Sequence, residues 1–129
     1  MANPLPPQTA SYALGLLRIV AALLFIEHGT QKLFGFPIAP AGGASPAMFS
    51  MFWFAGVLET VGGILVLVGF FTRPAAFVLS GLMAFAYFIA HFPRSFWPVA
   101  NGGDAAILFC FVFLYLAAAG PGAFSINKR

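Results

Sequence analysis

The chain has 129 residues, of which 61% are hydrophobic and only 7% charged, with a formal net charge of +3. A soluble domain carries about 25% charged residues, so the composition excludes a water-soluble globule and indicates an integral membrane protein. The basic residues are spread over helix ends and loops with no basic stripe and no interleaved aromatics, which argues against a nucleic-acid partner.

Four apolar runs approach the roughly 20 residues that a helix needs to cross about 30 Å of hydrocarbon. They cover about 12–33, 47–71, 75–92 and 104–119. The runs are continuous rather than alternating, and a helix satisfies its own backbone hydrogen bonds in lipid, so helices are expected rather than barrel strands. The fold class is therefore all-α, an integral membrane four-helix bundle forming one domain over residues 1–129.

The first run contains Arg18, Glu27, His28, Gln31 and Lys32. Its length, the internal Arg18 and the lack of a basic leading segment mark it as a true span rather than a cleaved signal peptide. A charge near mid-bilayer costs roughly 2.5–3.5 kcal/mol on insertion scales, so such groups pair, face water or bind something. At 100° per residue Arg18, His28 and Lys32 project to similar sectors, whereas Glu27 and Gln31 point elsewhere. Either Glu27 and His28 flank two sides of one cavity, or one set faces inward while the other snorkels toward the interface. For Lys32 alone, snorkelling at the helix end is the expected role.

The connection from Phe34 to Pro46 is rich in Gly and Pro and long enough to fold over the bundle mouth as a lid. In the second run Ala55, Gly56, Glu59, Gly62 and Gly63 share one sector. Small residues let a neighbouring helix approach closely, so this face is internal and carries Glu59 inward. A structural ion pair between Arg18 and Glu59 is one expectation. Arg18 can equally pair with Glu27.

The turn Thr72-Arg73-Pro74 is too short for anything but antiparallel neighbours, and Pro74 suits a first helical turn. In the third run Ser80, Tyr87 and His91 form a polar thread on one face. The third connection ends in Asn101-Gly102-Gly103-Asp104, where Asp104 is placed to cap the fourth helix. Cys110 is the only cysteine, which rules out a disulfide or a C-x-x-C pair within the chain. Arg73, Lys128 and Arg129 outnumber the basic residues expected on the other side, so both termini are expected in the cytoplasm.

If the helices alternate in direction, most polar residues gather at one side of the bundle. The candidate ligand-binding set is Glu27, His28, Lys32, Glu59, Tyr87, His91 and Asn101. No metal is expected, because Glu27, His28, Glu59 and His91 lack ligand spacing of the H-x-x-H or E-x-x-H kind. Hydrolytic triads, phosphate loops and nucleotide fingerprints are absent from the sequence.

The stretch L-L-R-I-V-A-A-L-L-F-I-E-H-G-T-Q-K-L-F-G from Leu16 to Gly35 resembles the first-helix signature of the DoxX family of small bacterial membrane proteins. Leu58 to Ala76 is similar to that family's second helix and turn, Trp97 to Ala106 to its N-G-G-E entry into the fourth helix, and Gly120 to Ser125 to its ending. Asp104 departs from the usual Glu. The resemblance implies four transmembrane helices in the bacterial inner membrane. It also implies a place beside membrane redox enzymes, since some relatives are subunits of thiosulfate:quinone oxidoreductase. The expected function is that of a quinone- or quinol-interacting accessory subunit with no redox centre of its own. A structural or assembly protein, and a small-solute transporter that works as a homo-oligomer, are the alternatives.

Overall fold

The computed structural model describes residues 4–40 and 42–127. Lys128 and Arg129, which enter the charge balance used for orientation, lie outside the described residues. Among the described residues every regular element is helical. The elements are α1 (Gln8–Phe34), α2 (Met51–Val68), α3 (Thr72–Ala86), a short α4 (Pro98–Asn101) and α5 (Asp104–Ala119). Beyond α3 the chain continues without a break through a π-helical turn, Tyr87–His91, and a 3-10 turn, Phe92–Arg94.

The helix ends differ from the apolar runs where local chemistry overrides hydropathy. α1 runs four residues further toward the amino terminus than expected, beginning at Gln8 just after Pro6 and Pro7, and stops at Gly35, whose φ of 67° closes the last turn. α2 starts at Met51 rather than residue 47, because the Ser50 hydroxyl accepts from the Trp53 N–H at 3.3 Å. It ends at Gly69, again left-handed with φ 73°. α3 begins at Thr72, which puts Pro74 in its first turn. Asp104 opens α5 without a side-chain capping bond. Asn101 ties down the entry to that helix instead, its Oδ1 accepting from the Gly103 N–H at 2.8 Å.

α1, α2 and the segment Thr72–Arg94 are each long and apolar enough to cross a membrane, and α5 is a shorter apolar helix of 16 residues. Many of their large apolar side chains point outward. Leu16, Val20, Leu23, Phe77, Phe85, Leu108 and Phe111 are all exposed, an arrangement that suits acyl chains and not water. The chain is a membrane helical bundle.

Two close helix pairs build it, α1 with α2 and α3 with α5, joined through the α2–α3 turn, whereas α1 and α5 meet through large side chains, Phe25 packing on Phe109 and Phe113. The α1–α2 pair is close because glycines line it. Ile26 occupies the space where a Gly63 side chain would stand, Gly29 lies on Thr60 and Gly56, and Leu33 lies on Gly56. The core consists of Phe25, Val66, Leu79, Met83, Phe113 and Leu116 with small alanines between them.

The C-terminal segment crosses the far end of the bundle. Ala123 N–H donates to the Ser11 carbonyl, and Ile126 and Asn127 N–H donate to the carbonyls of Val68 and Gly69. Arg18 holds this segment from within. Its side chain is fully buried, with Nη1 donating to the carbonyls of Pro121 and Ala123 and Nη2 to that of Phe124.

Candidate ligand cavity

The expected Arg18–Glu59 ion pair does not form, and the helix register explains why. The contacts of Ile26, Gly29 and Leu33 set Glu59 nearly level with residue 30 of α1. At 1.5 Å per residue Arg18 is then about 18 Å further along the axis. Neither is Glu27 its partner, since Arg18 directs its donors to the C-terminal carbonyls.

Lys32 takes the place that Arg18 vacates. Its Nζ lies 2.9 Å from Glu59 Oε2 and 3.1 Å from Oε1. Lys32 is thus not a free snorkelling side chain. The Glu59 side chain is 4% exposed and that of Lys32 25% exposed, so the carboxylate is the inner member and the ammonium the outer one.

This pair lies on the wall of a cavity of about 620 Å³ between the two helix pairs. α1 contributes Phe25, His28 and Lys32, α2 the stretch from Met51 to Glu59, and α3 with its π turn Leu82 to His91. The start of α5 closes the remaining side with Ala105, Ala106 and Phe109. These helix ends share one side of the bundle, as the alternating topology requires. No described residue of the 35–50 connection lines the cavity, so that loop does not act as its lid here.

Of the candidate residues, His28, Lys32, Glu59 and His91 line this cavity. Tyr87 and Asn101 stand behind it. Asn101 is buried, and its Nδ2 donates to the Tyr87 hydroxyl at 3.1 Å and the Ser95 carbonyl at 2.9 Å. The Asn101 carbonyl lies 3.1 Å from His91 Nδ1. A carbonyl only accepts, so Nδ1 is the donor in this contact. Across the π turn the Tyr87 and His91 rings remain stacked, at 6.4 Å between centroids.

Glu27 is not part of the cavity. It lines a shallower groove between α1 and α5, together with Leu17, Leu24, Leu108 and Val112. His28 and Phe109 border both spaces, their rings edge to face at 6.2 Å. The Glu27–His28 pair therefore flanks two separate openings rather than one site.

The α5 wall and Phe25 are contributions that the polar residues alone do not reveal. The Ala105–Phe109 spacing, a small residue one helical turn before a large one, is the only signal for them in the sequence. Among the described residues no group of three or more His, Cys, Asp or Glu side chains is arranged to hold a metal ion.

A membrane-embedded bundle with an apolar cavity and a buried ion pair at one end defines the class. The DoxX family model matches residues 13–92. The chain belongs to the DoxX family. It is 46% identical to an uncharacterized protein of Haemophilus influenzae over 92% of this chain and 90% of that one. It is 31% identical to the inner membrane protein YphA of Escherichia coli, over 88% of this chain and 87% of the relative. No solved structure matches the chain.

Proposed function

We propose that this DoxX-family protein is an accessory membrane subunit that binds a quinone or quinol in the cavity between its helix pairs and serves a redox enzyme as partner. The observation that carries the reading is the cavity itself: about 620 Å³, walled by Phe, Leu, Met and Ala, with polar groups confined to His28, Lys32, Glu59 and His91. Sites for apolar ligands have this composition, a greasy enclosure with a few fixed polar groups that orient the head. The ring carbonyls of a quinone match those groups, and an isoprenoid tail matches the apolar exit toward lipid. In this reading the redox step itself belongs to the partner.

The cellular setting in this reading is the bacterial inner membrane with both termini in the cytoplasm. The name of the Escherichia coli relative supports the membrane. Alkaline phosphatase fusions at the two termini test the orientation: activity at either overturns it.

The binding test uses the full chain in lipid nanodiscs titrated with decylubiquinone. Saturable binding that weakens in His28→Ala and His91→Ala supports the reading. A wild-type protein with no saturable binding removes it and leaves a purely structural bundle.

A further inference from the structure

Lys32 and Glu59 form a pair that is neutral as a whole but one-sided. Both carboxylate oxygens are turned to Lys32 Nζ, at 3.1 and 2.9 Å, and the Glu59 side chain is 4% exposed. The Lys32 stem lies on Gly56, where a glycine leaves room for it: an added Cβ there would stand 3.1 Å from the Lys32 Cβ. Both members line the cavity, and the ammonium is the more exposed of the two.

An ammonium has three N–H donors and no acceptor. Two face the Glu59 oxygens, and the remaining contact is to the His28 carbonyl at 3.5 Å. That last distance is at the outer limit for a hydrogen bond, so this N–H is the one a ligand oxygen can take without breaking the ion pair.

We infer that Lys32 is the residue that meets an acceptor oxygen of the ligand, and that Glu59 is a positioning residue that acts only through Lys32. The inference rests on the quinone reading and sharpens it. A cationic head is repelled from this wall, and a group that only donates finds no acceptor on Lys32. The oxidised quinone, whose ring oxygens only accept, is held more tightly here than the quinol, whose hydroxyls must first turn their lone pairs to the ammonium.

The experiment compares decylubiquinone and decylubiquinol binding to the full chain in lipid nanodiscs, with thermal unfolding followed in parallel. Wild type is expected to prefer the oxidised form. Lys32→Met/Glu59→Leu, which replaces the pair by packed apolar groups and need not destabilise the fold, is expected to lose on the order of tenfold to a hundredfold in affinity for the oxidised form, the value of a hydrogen bond to a charged group. Its preference between the two forms disappears with it.

The charge swap Lys32→Glu/Glu59→Lys separates positioning from stability. It restores an ion pair but puts a carboxylate toward the cavity, so a swapped protein that unfolds near the wild-type temperature is expected to bind decylubiquinone as poorly as the apolar double variant. Wild-type affinity in either folded double variant overturns the assignment of Lys32 while leaving the cavity reading intact. If the swap does not fold, the apolar double variant decides alone. Absence of decylubiquinone binding in wild type overturns both.

Discussion

Arg18 in α1 and Phe124 in the C-terminal segment, 106 residues apart in sequence, are joined by a hydrogen bond of 2.8 Å from the guanidinium to the carbonyl. With the neighbouring bonds to Pro121 and Ala123, this makes a charged side chain the internal clamp for the end of the chain. A buried charge in a membrane bundle is tolerated when oriented carbonyls surround it. Arg18→Met is therefore expected to destabilise the protein by about 3 kcal/mol, the upper end for buried polar groups left without partners. Thermal unfolding in detergent measures it. Truncation after Gly120 is expected to cost more, because it also removes the bonds from Ala123, Ile126 and Asn127 to Ser11, Val68 and Gly69, and adding Arg18→Met to the truncation is expected to cost little further, because the partners of Arg18 are already gone. Full additivity of the two losses would show that Arg18 acts elsewhere.

The spacing of α1 and α2 depends on Gly29. A Cβ at that position would stand 2.8 Å from the Thr60 backbone nitrogen and 2.9 Å from the Gly56 carbonyl oxygen. Backbone atoms of a helix cannot retreat as a side-chain tip can. Gly29→Ala is expected to cost about 1–3 kcal/mol, as overpacking does, and to push Lys32 away from Glu59. Gly81 in α3 supplies the control. A Cβ there meets nothing within 4 Å, so Gly81→Ala is expected to be neutral or to stabilise by up to about 1 kcal/mol through helix propensity. Equal unfolding temperatures for the two variants would refute the close-approach account.

The four apolar helices are legible in the sequence because hydropathy acts along the whole of each helix, and a displaced end of three or four residues does not alter the sum. Glu59 pointing inward is legible too, since Gly56 and Gly63 share its face and are buried with it. The choice of partner is not. It depends on the axial register of α1 against α2, set by contacts such as Ile26 on Gly63, and no helical-wheel argument carries depth across two helices. The π turn at Tyr87–His91 escapes for another reason: its two polar side chains are held by hydrogen bonds to the Asn101 turn, which helical periodicity does not register. Arg18 is singled out by its rarity, yet the carbonyls it binds lie beyond the last apolar run, where periodicity has nothing to say.

Asn101 is the keystone of the turn between the π segment and α5. Its side chain satisfies the Tyr87 hydroxyl, the Ser95 carbonyl and the Gly103 N–H at 3.1, 2.9 and 2.8 Å. Asn101→Leu keeps a similar volume but leaves these groups unpaired, at an expected cost of about 2–3 kcal/mol. Tyr87→Phe removes one of the bonds and is expected to cost about 1 kcal/mol. Hydrogen exchange locates the effect. Faster exchange confined to residues 87–103 in Asn101→Leu supports the assignment, whereas a uniform change over α1 and α2 would contradict it.

The stability of the Lys32–Glu59 pair can be read apart from any ligand. Removing one member leaves the other buried without compensation, which for a buried pair costs about 3–5 kcal/mol. The two members are not equivalent, since Lys32 is 25% exposed and Glu59 only 4%. Lys32→Met strands the inner carboxylate, whose only side-chain hydrogen-bond partner among the described residues is Lys32, and is expected near the upper end of that range. Glu59→Leu strands an ammonium that can still swing toward the open cavity, and is expected near the lower end or below it. Lys32→Met/Glu59→Leu is expected within about 1 kcal/mol of wild type, because the desolvation of two charges disappears together with their attraction. Unfolding temperatures of the three proteins in the same detergent test the ordering. A Glu59→Leu variant less stable than Lys32→Met would reverse the inner and outer roles, and with them the reason why the ammonium faces the cavity.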